Sequence, residues 1–224
     1  MLTWCFRSQC AACSELASSA LCPACVGALD PVGPSCPICA EPTGLATTCR
    51  RCVIEPLPLE RVVAPWRFGG PLATAIRRLK FTGATHVARA LAPLWAPVLA
   101  AAVAEHDAIV VPVPLHWRRR FARGFDHAWL LAHHACALAG IAPPLPALRR
   151  TRHAPPQSTL TAAERRDNLR DAFAVRAPVA GRAVILVDDV VTTGATLAAC
   201  ARPLRAAGAT AVIGLAIARA TSVP

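Results

Sequence analysis

Lysine is almost missing from this chain: all but one of its 24 basic residues are arginine, and Lys80 is the exception. Acids are scarce as well, 13 against those 24 bases, which leaves a formal net charge of +11. That balance favours polyanionic ligands, and arginine suits bidentate contacts to phosphate. A compositional habit of the genome accounts equally well for the richness in Ala and Arg. The amino end, MLTWCFRSQC, lacks the basic region and apolar run of a secretory signal. The longest stretch without formal charge, 127–148, holds three histidines and is broken by Gly140, Pro143, Pro144 and Pro146. That argues against a transmembrane helix there. A cytoplasmic location without membrane insertion is expected. Thiols stay reduced in that compartment, so metal binding is favoured over disulfides for the 11 cysteines. Apolar residues are plentiful, 54% of 224, enough for one domain with a real core and a small appendage.

Nine of the 11 cysteines precede residue 53, and eight of them form four C-x-x-C pairs: Cys10/Cys13, Cys22/Cys25, Cys36/Cys39 and Cys49/Cys52. Two residues between thiolates make a tight knuckle whose sulfurs both face one tetrahedral ion, so the block reads as a zinc-binding domain over residues 1–56. Eight residues separate the first two pairs and nine the last two. This looks like a duplicated half and favours two sequential four-cysteine sites, a double zinc ribbon. A cross-braced arrangement has similarly matched spacings of 22 and 23 residues, and a single occupied site is a third arrangement. So short a segment buries little core, and metal binding would supply most of its folding free energy. Its role is then structural, or the recognition of nucleic acid or protein. Cys5, Cys136 and Cys200 stand apart and read as packed small apolar side chains.

Residues 53–60 carry two prolines and no helical period, and read as a linker to a second unit over residues 57–224. A strand over 61–66 is expected next. A helix with apolar Leu72, Ala75, Ile76 and Leu79 follows, ending at Lys80, which either reaches a phosphate or is solvated. A second helix spans 85–103, broken or kinked at Pro93 and Pro97. The buried strand 108–113 leads into LHWRRRFARGF, where Arg118, Arg119, Arg120 and Arg123 lie between a strand end and a helix starting near Phe125. Amides and dipole at such a helix start favour an anion. Trp117, Phe121 and Phe125 among the arginines also suit stacking on single-stranded nucleic acid. The Pro-rich, polar segment 153–161 suits a mobile loop, and Thr161 with Glu164 forms a capping box for a short helix.

The segment 184–197, VILVDDVVTTGATL, organises the rest. A short apolar run is what a strand buried on both faces looks like, and here it delivers Asp188 and Asp189 to the carboxyl edge, where open α/β sheets bind ligands. Thr192, Thr193, Gly194, Ala195 and Thr196 then form a small-residue turn into a helix whose first amides have no intrahelical partner, a cradle for phosphate. Carboxylates for hydroxyls, followed by amides and Thr hydroxyls for phosphate, match the layout of a ribose 5-phosphate. A final helix over 195–207 should be kinked at Pro203 and end at Gly208, before a last strand over 212–218. Strand and helix alternate from residue 61 onward, which gives an α/β fold with a mostly parallel sheet flanked by helices.

The 184–197 segment resembles the fingerprint of the type I phosphoribosyltransferases, which bind phosphoribosyl pyrophosphate (PRPP). The resemblance implies that Asp188 and Asp189 hold the ribose hydroxyls, that Thr192–Thr196 hold the 5-phosphate, and that the loop with Arg118, Arg119, Arg120 and Arg123 holds the pyrophosphate together with Mg²⁺. PVPLHWRRRFARGFDHAWLLA, and then Gln157, Leu160, Glu164, Arg165, Asn168 and Phe173, are similar to the signatures of the ComF/GntX family, which carries an amino-terminal zinc ribbon. Asp126-His127 stands where that family has Asn-Gln. Two functions follow from the resemblance. One is a PRPP-dependent phosphoribosyltransferase of unspecified acceptor, acting in DNA uptake or natural transformation. The other is a non-catalytic adaptor for single-stranded nucleic acid and DNA-uptake proteins on the same fold.

Overall fold

Both halves of the cysteine block fold alike in the computed structural model, which describes residues 8–115, 121, 124–151 and 172–221. The first half opens with the antiparallel pair β1 (Ser8–Gln9) and β2 (Leu16–Ala17) and ends in helix α1 (Pro23–Gly27). The second half ends in helix α2 (Arg50–Ile54). In each, the residue after the first knuckle takes a left-handed conformation, Ser14 at φ 68° and Ala40 at φ 58°. That turn lets Ser14 N donate to Cys10 O at 3.0 Å and Ala40 N to Cys36 O at 2.9 Å. The knuckle is closed by Cys10 N on Glu15 O and by Cys36 N on Glu41 O, both at 2.8 Å. The duplication read from cysteine spacing is thus repeated in the hydrogen bonds.

The strand expected over 61–66 appears as β3 (Val62–Val63) and β4 (Trp66–Arg67). Pro65, which has no N–H to give a ladder, lies in the gap between them. Helix α3 (Gly70–Phe81) follows, and then the second helical stretch. The latter is α4 (His86–Leu91), a 3₁₀ turn (Ala92–Leu94) holding Pro93, and α5 (Ala96–His106) with Pro97 in its first turn; the two arms meet at 65°. No single helix among the described residues is long and apolar enough to cross a membrane. Strand β5 (Ile109–Pro112), helix α6 (His127–Ala139), the antiparallel pair β6 (Leu148–Arg150) and β7 (Phe173–Val175), strand β8 (Ala183–Val191), helix α7 (Ala195–Ala206) and strand β9 (Ala211–Arg219) complete the order.

Strands β5, β8 and β9 lie side by side in parallel, and β3 and β4 pair in parallel with the far side of β9. Alternation along β8 explains why its sequence is apolar throughout: Ile185 and Val187 face one core, Val184 and Leu186 the other. Helices α3 to α6 cover the first face; α7 and the β6–β7 pair cover the second. Cys10, Leu21 and Cys25 join the first core beside α3, so the cysteine block borrows apolar surface from the body. Arg78 of α3 fixes it by donating from Nη1 to Cys10 O, Ala11 O and Ser14 Oγ at 3.0–3.1 Å. Val62 N donates to Ile38 O at 2.9 Å and ties the second half to the sheet. Gly208, at φ 89°, ends the turn after α7 as expected.

Candidate functional site

Strand β8 runs four residues past the apolar segment from which its end was expected, so both acids lie within the strand and alternate across it. Asp188 is half-buried, whereas Asp189 is 3% exposed. Asp189 meets two basic side chains from different helices: Lys80 Nζ of α3 pairs with its Oδ2, and His127 Nε2 at the start of α6 lies 3.6 Å from its Oδ1. The sole lysine, though partly exposed, is therefore not free for a phosphate; it neutralises a buried carboxylate. Burial opposes the Asp189 charge, yet His127 and Lys80 hold this carboxyl well below the usual carboxylate range. Asp188 is driven the other way. Burial, and next the charge of Asp189, push it up to about 7, although its Oδ1 accepts from Asp189 N at 2.9 Å.

Past Val191 the chain turns through exposed Thr192 and Thr193 to Gly194 at φ 79°, which opens α7. Thr193 Oγ1 accepts from Ala195 N at 3.3 Å. The left-handed conformation favours glycine at 194, and an added Cβ would lie 2.8 Å from Leu57 Cδ1, so that side chain would have to shift. The sequence-expected phosphate loop, Thr192 to Thr196, and the two acids thus occupy one continuous edge at the start of a 12-residue helix. Such an edge can accept hydrogen bonds from sugar hydroxyls and present amides to a phosphate.

Arg118, Arg119, Arg120 and Arg123, with Trp117, lie outside the described residues, as do Cys5, the 153–161 loop, and Gln157, Leu160, Glu164, Arg165 and Asn168. The base of the arginine-bearing segment is described. Leu115 N donates to Asp126 Oδ2 at 2.9 Å, and Asp126 Oδ1 accepts from Ala128 N and Trp129 N at 3.1 and 3.3 Å. Asp126 therefore ties Leu115 to the start of α6 and caps that helix, while His127 turns inward to Asp189. The side chains standing in place of Asn-Gln have structural partners that sequence reading did not anticipate. Beside this base a cleft of about 560 Å³ is lined by Phe125, Trp129 and Leu130 together with Arg149, Arg150 and Arg176. Its size is that of a small-molecule site. Arg176 was missed because it stands alone in the sequence; pairing of β6 with β7 brings it to the other arginines.

The eight paired cysteines gather as Cys10, Cys13, Cys22 and Cys25, and as Cys36, Cys39, Cys49 and Cys52, with ligand atoms in each set within 4.8 Å of one another. The sequential arrangement is the one adopted. Both sets fit zinc in number and chemistry. Against the effect of burial, backbone N–H groups, Cys22 first, lower the Cys10 thiol to about 6, and those around Cys36 lower it to about 7. Burial and neighbouring sulfurs push Cys25 up to about 12. Thiolates crowded beside thiols that cannot ionise without a counter-charge are a donor set suited to a dication. Cys136 and Cys200 are buried among apolar residues, as expected of packing cysteines.

Residues 131–221 match the phosphoribosyl transferase domain family. The chain is 36% identical over 197 residues to the DNA utilization protein YhgH of Salmonella typhi, covering 86% of this chain and 87% of that protein. It is 30% identical over 226 residues to competence protein F of Haemophilus influenzae, covering 96% and 98% of the two chains. Similarity extends to competence protein ComFC of Bacillus subtilis, 27% identical over 187 residues, with 81% and 75% covered.

Proposed function

The chain belongs to the ComF family of phosphoribosyltransferase-fold proteins with an amino-terminal zinc-ribbon block, and on that premise we propose that it binds PRPP at the carboxyl edge of β8 and transfers its ribosyl phosphate. One observation carries this reading: Asp188 and Asp189 in the strand, and the Gly194 turn at the start of α7, form a single edge. The 5-phosphate sits against the amides and hydroxyls of Thr192 to Thr196. The half-buried Asp188 accepts from the ribose hydroxyls, and Asp189, locked by Lys80 and His127, fixes the strand beneath the sugar. As the bond from C1 to pyrophosphate breaks, positive charge grows on the ring, and the Asp188 carboxylate favours it. Mg²⁺ would supply charge neutralisation on the pyrophosphate, alongside Arg118, Arg119, Arg120 and Arg123. The names of the relatives support a role in the uptake or use of DNA. Calorimetry with PRPP and Mg²⁺ tests the site: Asp188→Asn and Asp189→Asn should each weaken binding about tenfold or more, a loss of roughly 1.4 kcal/mol. Unchanged affinity in both variants would refute it.

A second reading is favoured by the cleft between Trp129 and the arginines. Aromatic faces beside Arg suit stacked bases and their phosphates, which supports a protein that binds single-stranded DNA with little chemistry of its own. Anisotropy of a labelled oligonucleotide should then fall steeply with salt, and Arg149→Ala/Arg176→Ala should flatten the slope. A salt-insensitive signal removes this reading. Competition by PRPP would place both ligands in one groove.

A further inference from the structure

The second four-cysteine site touches the edge that is to hold phosphate, and it does so through two independent braces. The first is Leu57, in the stretch between α2 and β3. Its side chain packs against the cluster of Cys36, Cys39 and Cys52, and the same side chain lies over Gly194, with Cδ1 where a Cβ at 194 would collide at 2.8 Å. The second is Glu41, next but one to Cys39, whose carboxylate pairs with Arg219 at the end of β9. Arg219 is completely buried, and its Nε and Nη1 have no partner among the described residues. It pairs in register with Val191, and Ala220 N donates to Val191 O at 2.9 Å, so this brace ends on the last strand residue before Thr192. A guanidinium so buried holds its place only while its counter-charge stays put. Glu41 stays put because its own carbonyl closes the Cys36 knuckle.

The first four-cysteine site makes no comparable contact with this loop among the described residues; its ties run to α3 through Arg78. Loop amides can cradle an anion only if their directions are set before the ligand arrives, since ordering them on binding subtracts from affinity. We propose that Leu57, Glu41 and Arg219 are positioning residues that transmit the metal-held shape of the second cysteine site to the Gly194 loop, so that this site and not the first sets the order of the phosphate-binding edge. The ligand named for that edge rests on the PRPP reading; the coupling itself is measured without ligand.

The test uses full-length, zinc-loaded protein and amide hydrogen exchange of peptides covering residues 191–198, with zinc content measured on each sample. Leu57→Ala should keep both zinc ions yet speed exchange at 193–197 by about fivefold or more. Cys49→Ser, which breaks the second site and so both braces, should loosen the loop at least as much, and adding Leu57→Ala to it should change little, because the Leu57 brace already rests on that site. Cys22→Ser, in the first site, should leave the loop at the wild-type rate. Wild-type exchange in Leu57→Ala, or equal loosening by Cys22→Ser and Cys49→Ser, would overturn the proposal. If Cys49→Ser does not fold, Leu57→Ala with Glu41→Gln decides it, and both should loosen the loop with zinc retained. PRPP titration of the same samples keeps the two questions apart: a wild type that binds no PRPP removes the functional reading, while the exchange result still stands or falls by itself.

Discussion

Replacing Lys80 by Met strands Asp189, a carboxylate only 3% exposed that has Asp188 as its chain neighbour. The gross attraction lost is roughly 5 kcal/mol for two charges in contact at an effective dielectric near 20. The relevant quantity is smaller, since removing one partner of a buried pair typically costs about 3–5 kcal/mol. Lys80 keeps a quarter of its side chain exposed, and His127 remains on the other oxygen, so the lower end, about 3 kcal/mol, is expected. Asp189→Asn alone should cost less, about 1–2 kcal/mol, because the ammonium left behind can reach water. The double variant should be close to Asp189→Asn rather than to the sum, giving a coupling of roughly 2–3 kcal/mol. Urea unfolding at pH 7.5 in zinc-containing buffer measures all four proteins, provided that the m-values agree. Coupling below about 0.5 kcal/mol would refute the buried pair, since that is what exposed ion pairs give.

Lys80 is the chain's only lysine, so amine-directed labelling followed by mass spectrometry reads one side chain besides the amino terminus; Asp189→Asn should speed its modification severalfold. Asp126→Ala should cost about 1–2 kcal/mol as a lost helix cap, whereas Asp126→Asn should hold most of that stability. A drop of the same size for both would separate the cap from its role. The raised Asp188 predicts a pH effect. Its folded value of about 7 exceeds the ordinary 3.8, so its contribution is present in full below that ordinary value and is lost as pH rises through about 7. Asp188→Asn should therefore gain on wild type by roughly 1–2 kcal/mol between pH 6 and 8, and parallel pH curves would contradict it. Metal analysis should return two zinc ions per chain, and prolonged chelation should lower the thermal midpoint and release both.

What could be read from the sequence was local. Apolar runs at 108–113, 184–187 and 212–218 announced strands that period and flanking turns delimit, and C-x-x-C spacing announced both metal sites, because each depends on neighbours along the chain. The missed features depend on pairs far apart. Nothing near Lys80 says that its partner is Asp189, and nothing near Glu41 points to Arg219. His127 was read as part of a departure in a loop, yet the turn set by Asp126 points it at the strand. Two acids look like a strand terminus, which sets the expected end of β8 too early; the ladder with β9 carries the backbone on to Val191, and the Asp189 side chain finds cations instead of water.

The position of β9 has a consequence for how the chain comes to be folded. This strand is synthesised after every other described strand, yet it forms the seam of the sheet, with β8 on one side and β3 and β4 on the other. The Glu41–Arg219 pair spans 178 residues of sequence. Metal can therefore organise the amino-terminal block early in translation, but β3 and β4 have no sheet to join, and the block no buried arginine to meet, until β9 leaves the ribosome. Contacts so distant close slowly. A stop codon before Ala211 would remove the strand that joins the two sides, leaving a zinc-loaded block and a separate half-sheet.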